Sequence, residues 1–157
     1  MITTVVESWI EAPLRQFLDE AGVELALLLH PSGQVLAQHG FARAMDVMSA
    51  CALAAGIHAT SAELGRLVDD KPFRGVHHVG ATRQMFIAEA RSPRGAYIFL
   101  TVFGAESSIG LVRLYFDELV SGLSVAAPVE GSAPAPALAE HFERDLNRNL
   151  AVLFGRA

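Results

Sequence analysis

The side chains best equipped for chemistry in this 157-residue chain are six histidines, one cysteine and a scatter of arginines and serines. A metal site needs ligands at close spacing, and a general base needs a histidine beside a nucleophile. His77 and His78 are adjacent, so on a strand they point to opposite faces and cannot chelate one ion together. His30 and His39 bracket a short hairpin, while His58 and His141 stand alone. The pattern predicts surface or interface histidines, with no metal and no catalytic residue. Cys51 sits in an alanine-rich stretch without a basic neighbour, which predicts a buried structural thiol. No glycine-rich phosphate loop is present, so no cofactor is expected. Gly104-Ala105-Glu106-Ser107-Ser108 is a helix start, capped by Glu106, Ser107 or Ser108. The serines lack a nucleophile elbow. Arg43, Arg66, Arg74, Arg83 and Arg113 can each in principle stabilise a phosphoryl-transfer partner in trans, but the sequence singles out none of them. The chain is expected not to be an enzyme, which turns attention to surfaces for other proteins.

The elements that carry these residues follow from periodicity. Residues 3 to about 21 predict a helix, with Val6, Ile10, Leu14, Phe17 and Leu18 on one face. Pro13 should bend or split it, and Gly22 should end it. Leu25–Leu29, apolar on both faces, predicts a covered central strand. It turns through Pro31-Ser32-Gly33 into Gln34–His39, whose mixed pattern predicts an edge. Ala42–Val68 predicts a long helix, about half of it Ala, Gly, Ser, Thr or Cys. Three strands follow, at about Arg74–Gly80, Gln84–Ala90 and Ala96–Phe103, and then a helix at Ser107–Leu123. The Pro-rich stretch 124–137 predicts a flexible linker. Leu138, Phe142, Leu146, Leu150, Leu153 and Phe154 beyond it form an amphipathic stripe. The fold class is α/β in the α+β sense, with order αββαβββα: a five-stranded, mostly antiparallel sheet with helices on both faces. The domains are 1–123, the linker 124–137 and a C-terminal helix 138–157.

Composition narrows the partners. Hydrophobic residues make up 52%, so a large core, a large interface or both are expected. A net charge of −5 disfavours nucleic acid and anionic membranes. Leu25–Leu29 and Ala96–Val102, the longest apolar runs, fall far short of the ~20 residues of a membrane span. With one cysteine and no basic leader, the expected location is cytoplasmic.

The long helix is the place to look for an interface. Ala52, Ala55, Gly56, Ala59, Ala62 and Glu63 recur at three- and four-residue spacing, while Val47, Cys51, Ala54, Ile57, Leu64, Leu67 and Val68 are the fatter positions. Small residues let another helix approach closely. Such a face packs either on the chain's own sheet or on another chain. With the glycine-bounded edge Val76, His77, His78 and Val79, Ala52 and Gly56 would make one self-association surface around a two-fold axis.

The element order, with Gly22-Val23-Glu24-Leu25-Ala26-Leu27-Leu28-Leu29-His30-Pro31-Ser32-Gly33-Gln34-Val35-Leu36, resembles the roadblock/dynein-light-chain domain family. Ser107-Ser108-Ile109-Gly110-Leu111-Val112-Arg113-Leu114 is similar to its bacterial, MglB-like branch, and Asp145-Leu146-Asn147-Arg148-Asn149-Leu150 with Leu153-Phe154 looks like that branch's tail. The resemblance covers about residues 8–123 and the tail. It implies a homodimer whose edge strands join and whose long helices lie side by side, acting in cell polarity or gliding motility. It implies that a GTP-bound, MglA-type Ras-like small GTPase docks across those helices, near Ala55, Ala59, Glu63 and Arg66. The dimer would activate hydrolysis by positioning the GTPase's own groups and would donate no catalytic arginine. The tail helix, through Phe142, Leu146, Leu150 and Phe154, is implied as a second contact. Glu63 departs from the small residue expected there, and a carboxylate in a close contact must be paired or pay desolvation. A roadblock scaffold with no effect on hydrolysis is the alternative, and a small-molecule sensor of related topology a more distant one.

Overall fold

The computed structural model describes residues 4–5, 7–41, 45–129 and 148–149. The elements are β1 (Thr4–Val5), α1 (Ser8–Ala21), β2 (Leu25–Leu29), β3 (Val35–Gly40), α2 (Val47–Asp69), β4 (Gly75–Val79), β5 (Gln84–Ser92), β6 (Gly95–Phe103) and α3 (Ile109–Ala126). The strands form one sheet in the order β1-β3-β2-β6-β5-β4, with antiparallel pairing throughout. This is the expected five-stranded sheet, extended by the two-residue β1.

Two layers of core sit on the two faces. Ala26, Leu28, Ala37, Phe86, Ala88, Phe99 and Phe103 face α1 and α3, where Phe17 and Phe116 close on Phe99. Leu25, Leu27, Leu29, Ile87, Ile98, Leu100 and Val102 face α2, which contributes Cys51 and Ala54. The alternation explains why β2 is buried along its whole length: each side chain has a helix above or below it. At the centre, the Thr101 hydroxyl donates to the Leu25 carbonyl at 2.7 Å, tying β6 to β2.

Several expectations shift. The first helix starts at Ser8, because Thr4–Val5 pair with Gln38 and Ala37 on β3 instead. α1 runs as one helix through Pro13, whose missing N–H leaves one i→i−4 backbone hydrogen bond unmade. α3 passes this ring at Gly122, where a Cβ would stand in ordinary contact, 3.5 Å from the Pro13 Cβ. β3 is no exposed edge: β1 pairs with it, and Gln38 and His39 are buried. α2 begins at Val47, because Asp46 caps it. The Asp46 carboxylate accepts from the Ser49 N–H at 3.2 Å and the Ser49 hydroxyl at 2.7 Å. Those bonds, the hydroxyl's first, hold its pKa below the usual carboxylate value. α3 is capped by Ser108 and runs to Ala126, so the compact unit extends to Ala127 and Ser124–Ala126 are helical, not linker. Arg148 and Asn149 are helical, while Phe142, Leu146, Leu150 and Phe154 lie outside the described residues.

Candidate interaction surface

α2 is the element that positions the candidate site. Its 23 residues carry only Cys51, Ala54 and Gly65 fully buried. Cys51 is 1% exposed, and burial pushes its thiol pKa up, as a structural cysteine requires. Gly65 has an internal reason to be glycine. A Cβ there would stand 2.3 Å from the Phe73 nitrogen and 2.6 Å from the Lys71 oxygen, so the loop after α2 folds back across it.

Gly56 has no such reason. Among the described residues, nothing lies within 4 Å of a Cβ built on it. Inside a helix it gives up about 1 kcal/mol relative to alanine, and no contact among the described residues recovers that. It lies in an open groove of about 390 Å³ lined by Ala52, Leu53, Gly56, Ile57, Thr60 and Ser61. Around this groove large apolar side chains stand in solvent: Met48, Leu53, Leu64, Leu67 at 85% exposure and Val68. Of the fatter positions, Leu64, Leu67 and Val68 lie on the exposed side of α2. At 100° per residue Leu53, Leu64 and Leu67 project away from Cys51 and Ala54, which is the signal that locates them. By length and composition α2 is also apolar enough to cross a membrane. Interrupting residues such as Ser49 and His58 keep it out of any count of unbroken apolar runs. Here one of its faces lies on the sheet and the other is an exposed apolar surface of the kind that marks an interaction site.

The expected partner-facing residues separate by position. Ala59, Glu63 and Arg66 are exposed, whereas Ala55 is half-buried against the α2-side core. Glu63 and Arg66 form an ion pair with each other across one helical turn. Ala52 and Gly56 point outward with them.

The other part of the expected surface, β4, ends the sheet. The Arg74 carbonyl accepts from the Glu89 N–H at 3.1 Å, and the Gly80 N–H donates to the Arg83 carbonyl at 2.8 Å. By alternation the even-numbered residues of β4 bond inward to β5, and Gly75, His77 and Val79 direct their N–H and C=O groups outward. His77 and His78 do face opposite sides. The His77 ring stacks on Phe103 at 6.1 Å, and its Nε2–H donates to Gln84 Oε1 at 2.8 Å, while His78 pairs in register with Met85. Val76 is half-buried, and Val79 is 73% exposed.

The remaining chemical candidates are dispersed. His30 Nδ1 lies 2.8 Å from the Ser32 hydroxyl in the β2–β3 turn, and His58 Nε2 lies 3.9 Å from Glu89. His39, expected near the surface, is buried under α1, where desolvation first and Arg15 second lower its pKa. Arg83 pairs with Glu24 at 3.0 Å, and Arg74 and Arg113 are exposed. Arg43 and His141 lie outside the described residues. No group of three potential metal ligands occurs among the described residues. Sequence reasoning missed a second groove of about 430 Å³ between α1 and α3, lined in part by Pro13, Phe17, Leu119 and Gly122. Its signal was Gly122 opposite Pro13.

No protein-family model and no curated protein sequence matches the chain. Solved structures do resemble it. An MglB with tetrameric arrangement shares 22% identity, a TM-score of 0.68, and alignment over 79% of this chain and 93% of that one. The gliding protein MglB from Thermus thermophilus shares 24% identity at TM-score 0.67, over 78% and 94% of the two chains. A roadblock/LC7 domain from Streptomyces avermitilis shares 21% at TM-score 0.60, over 69% and 89%. The sheet with α2 on one side and α1 and α3 on the other is thus the roadblock fold.

Proposed function

We propose that this chain is an MglB-like member of the roadblock family, a cytoplasmic homodimer that regulates an MglA-type Ras-like small GTPase in polarity or gliding motility. The observation that carries the reading is Gly56 on the outer face of α2. A glycine with open space around it, set among exposed Leu53, Leu64 and Leu67, fits a helix that another chain approaches closely. The outward backbone groups of Gly75, His77 and Val79 fit strand addition by a second copy on the same flank of the sheet. Ala52, Gly56 and Val76–Val79 serve the dimer, and Ala55, Ala59, Glu63 and Arg66 face the GTPase. The protein contributes no catalytic group; it favours the GTPase conformation in which that protein's own residues are in place. Phe142, Leu146, Leu150 and Phe154, which lie outside the described residues, supply a further partner contact. The fold, shared with MglB structures, makes this assignment the natural one.

The test is multiple-turnover GTP hydrolysis by an MglA-type GTPase with and without this protein. The expected result is a faster rate. Binding without a rate change would make the protein a scaffold, and absence of binding would refute both. Light scattering should give twice the 16.8 kDa monomer mass, and a monomer at micromolar concentration would remove the dimer.

A further inference from the structure

Glu63 and Arg66 are the only Asp, Glu, Lys or Arg residues from Val47 to Val68. Each is exposed, its side chain at 73% for Glu63 and 52% for Arg66, and they are paired with each other. Glu63 lies seven residues after Gly56 and four after Ala59, in line with the open groove. A single carboxylate in that line would demand a base from whatever covers it, because a desolvated unpaired charge is expensive. Here the base is already supplied from one turn further along the same helix.

We propose that Glu63 and Arg66 form a self-neutralised couple that fits this end of α2 to an uncharged polar patch on the GTPase, and not to a matching base. The inference rests on the reading of α2 as the GTPase-facing helix. In water the exposed couple contributes little, since solvent screens it. Once a partner displaces that water, the attraction within the couple strengthens and both charges arrive with their counterion in place. A partner Lys or Arg over Glu63 would also lie beside the Arg66 guanidinium, and a partner Asp or Glu would lie beside Glu63. Either arrangement sets like charges together, so the couple selects against charged surfaces of both signs. What remains to be satisfied is one carboxylate oxygen and the spare guanidinium N–H groups, which neutral hydroxyl, amide or backbone groups can meet.

The experiment measures affinity for a GTP-loaded MglA-type GTPase by calorimetry, using full-length wild type, Arg66→Met, Glu63→Gln and the double variant. Circular dichroism serves as a folding control, because both side chains are exposed. Arg66→Met should weaken binding about tenfold by stranding Glu63, and the double variant should return to within about threefold of wild type. Wild-type affinity should change less than about threefold between roughly 50 and 500 mM salt, because no charge of the GTPase is neutralised. If Glu63→Gln weakens binding while Arg66→Met does not, and affinity falls steeply with salt, the partner supplies a base and the inference is overturned. Four equal affinities overturn it as well. Failure of wild type to bind overturns the GTPase reading and this inference with it, whereas binding with the wrong variant pattern overturns this inference alone.

Discussion

The two glycines of α2 offer a test in which one substitution chemistry should have opposite effects. At Gly65 an alanine methyl would lie 2.3 Å from the Phe73 nitrogen, 2.6 Å from the Lys71 oxygen and 2.9 Å from the Pro72 carbon. All three are backbone atoms, so the loop must move. The gain in helix propensity, about 1 kcal/mol, is outweighed by overpacking, and a net loss of about 2 kcal/mol is expected for Gly65→Ala. At Gly56 the methyl meets nothing within 4 Å among the described residues. In dilute, monomeric protein Gly56→Ala should therefore stabilise by about 1 kcal/mol, raising Tm by roughly 4 °C for a domain of this size. At higher concentration, where the outer face of α2 is covered by another chain, the methyl enters the contact and the sign should reverse. The assay is urea and thermal unfolding of both variants over a hundredfold range of protein concentration, followed by circular dichroism. A Gly56→Ala protein destabilised in the dilute limit would mean that its own chain covers the face, and the interface reasoning would fail. A neutral Gly65→Ala would refute the packing account of the loop.

Three further outcomes are expected. The folded-state pKa of His39 is lowered by desolvation and Arg15, against opposing contributions from Glu11 and Asp19, so the unfolded chain takes the proton first as pH falls. Stability should be full above about pH 6.5 and drop below it; urea titrations at several pH values should show this, with a flatter profile in His39→Gln. Phe99→Ala, which removes the ring between Phe17 and Phe116, should cost about 3–5 kcal/mol in the same titrations. Cys51 should react with a thiol reagent at pH 8 far more slowly in the folded protein than in urea, because it is buried and its thiolate is disfavoured; equal rates would place it at the surface.

Much of the scaffold was legible because its signals are local. Leu25–Leu29, apolar on both faces, announced a central strand, and it is β2, flanked by β3 and β6. Gly22 marked the end of α1 in a left-handed conformation at φ 64°. Part of what was not legible depended on partners distant in sequence. Gln38 and His39 look like an edge until α1 and β1 cover them. Gly56 and Gly65 look alike until the Lys71–Phe73 loop is seen to cross one of them. Glu63 looked like an isolated acid on an apolar face, although Arg66 lies three residues on, at a spacing known to pair. The outward direction of Leu53, Leu64 and Leu67 was available from helical projection.

The hydrogen bond from Thr101 to the Leu25 carbonyl joins residues 76 apart, and it marks the seam along which the sheet must be closed. On one side of that seam stands the β2–β3 hairpin, and on the other the β4–β5–β6 meander; each is joined by short turns and can form early. The two pieces meet only along β2 and β6, and the chain between them contains the whole of α2. Closing so long a loop is entropically costly before any contact rewards it, which slows folding relative to a helical bundle of the same size. Until the seam closes, Leu25 and Leu27 lack their β6 neighbours Val102 and Leu100, and the strand edges of both pieces are open. The interval before docking is when this chain is most exposed to misassembly, so the speed of seam closure sets how much newly made protein reaches its assembled form.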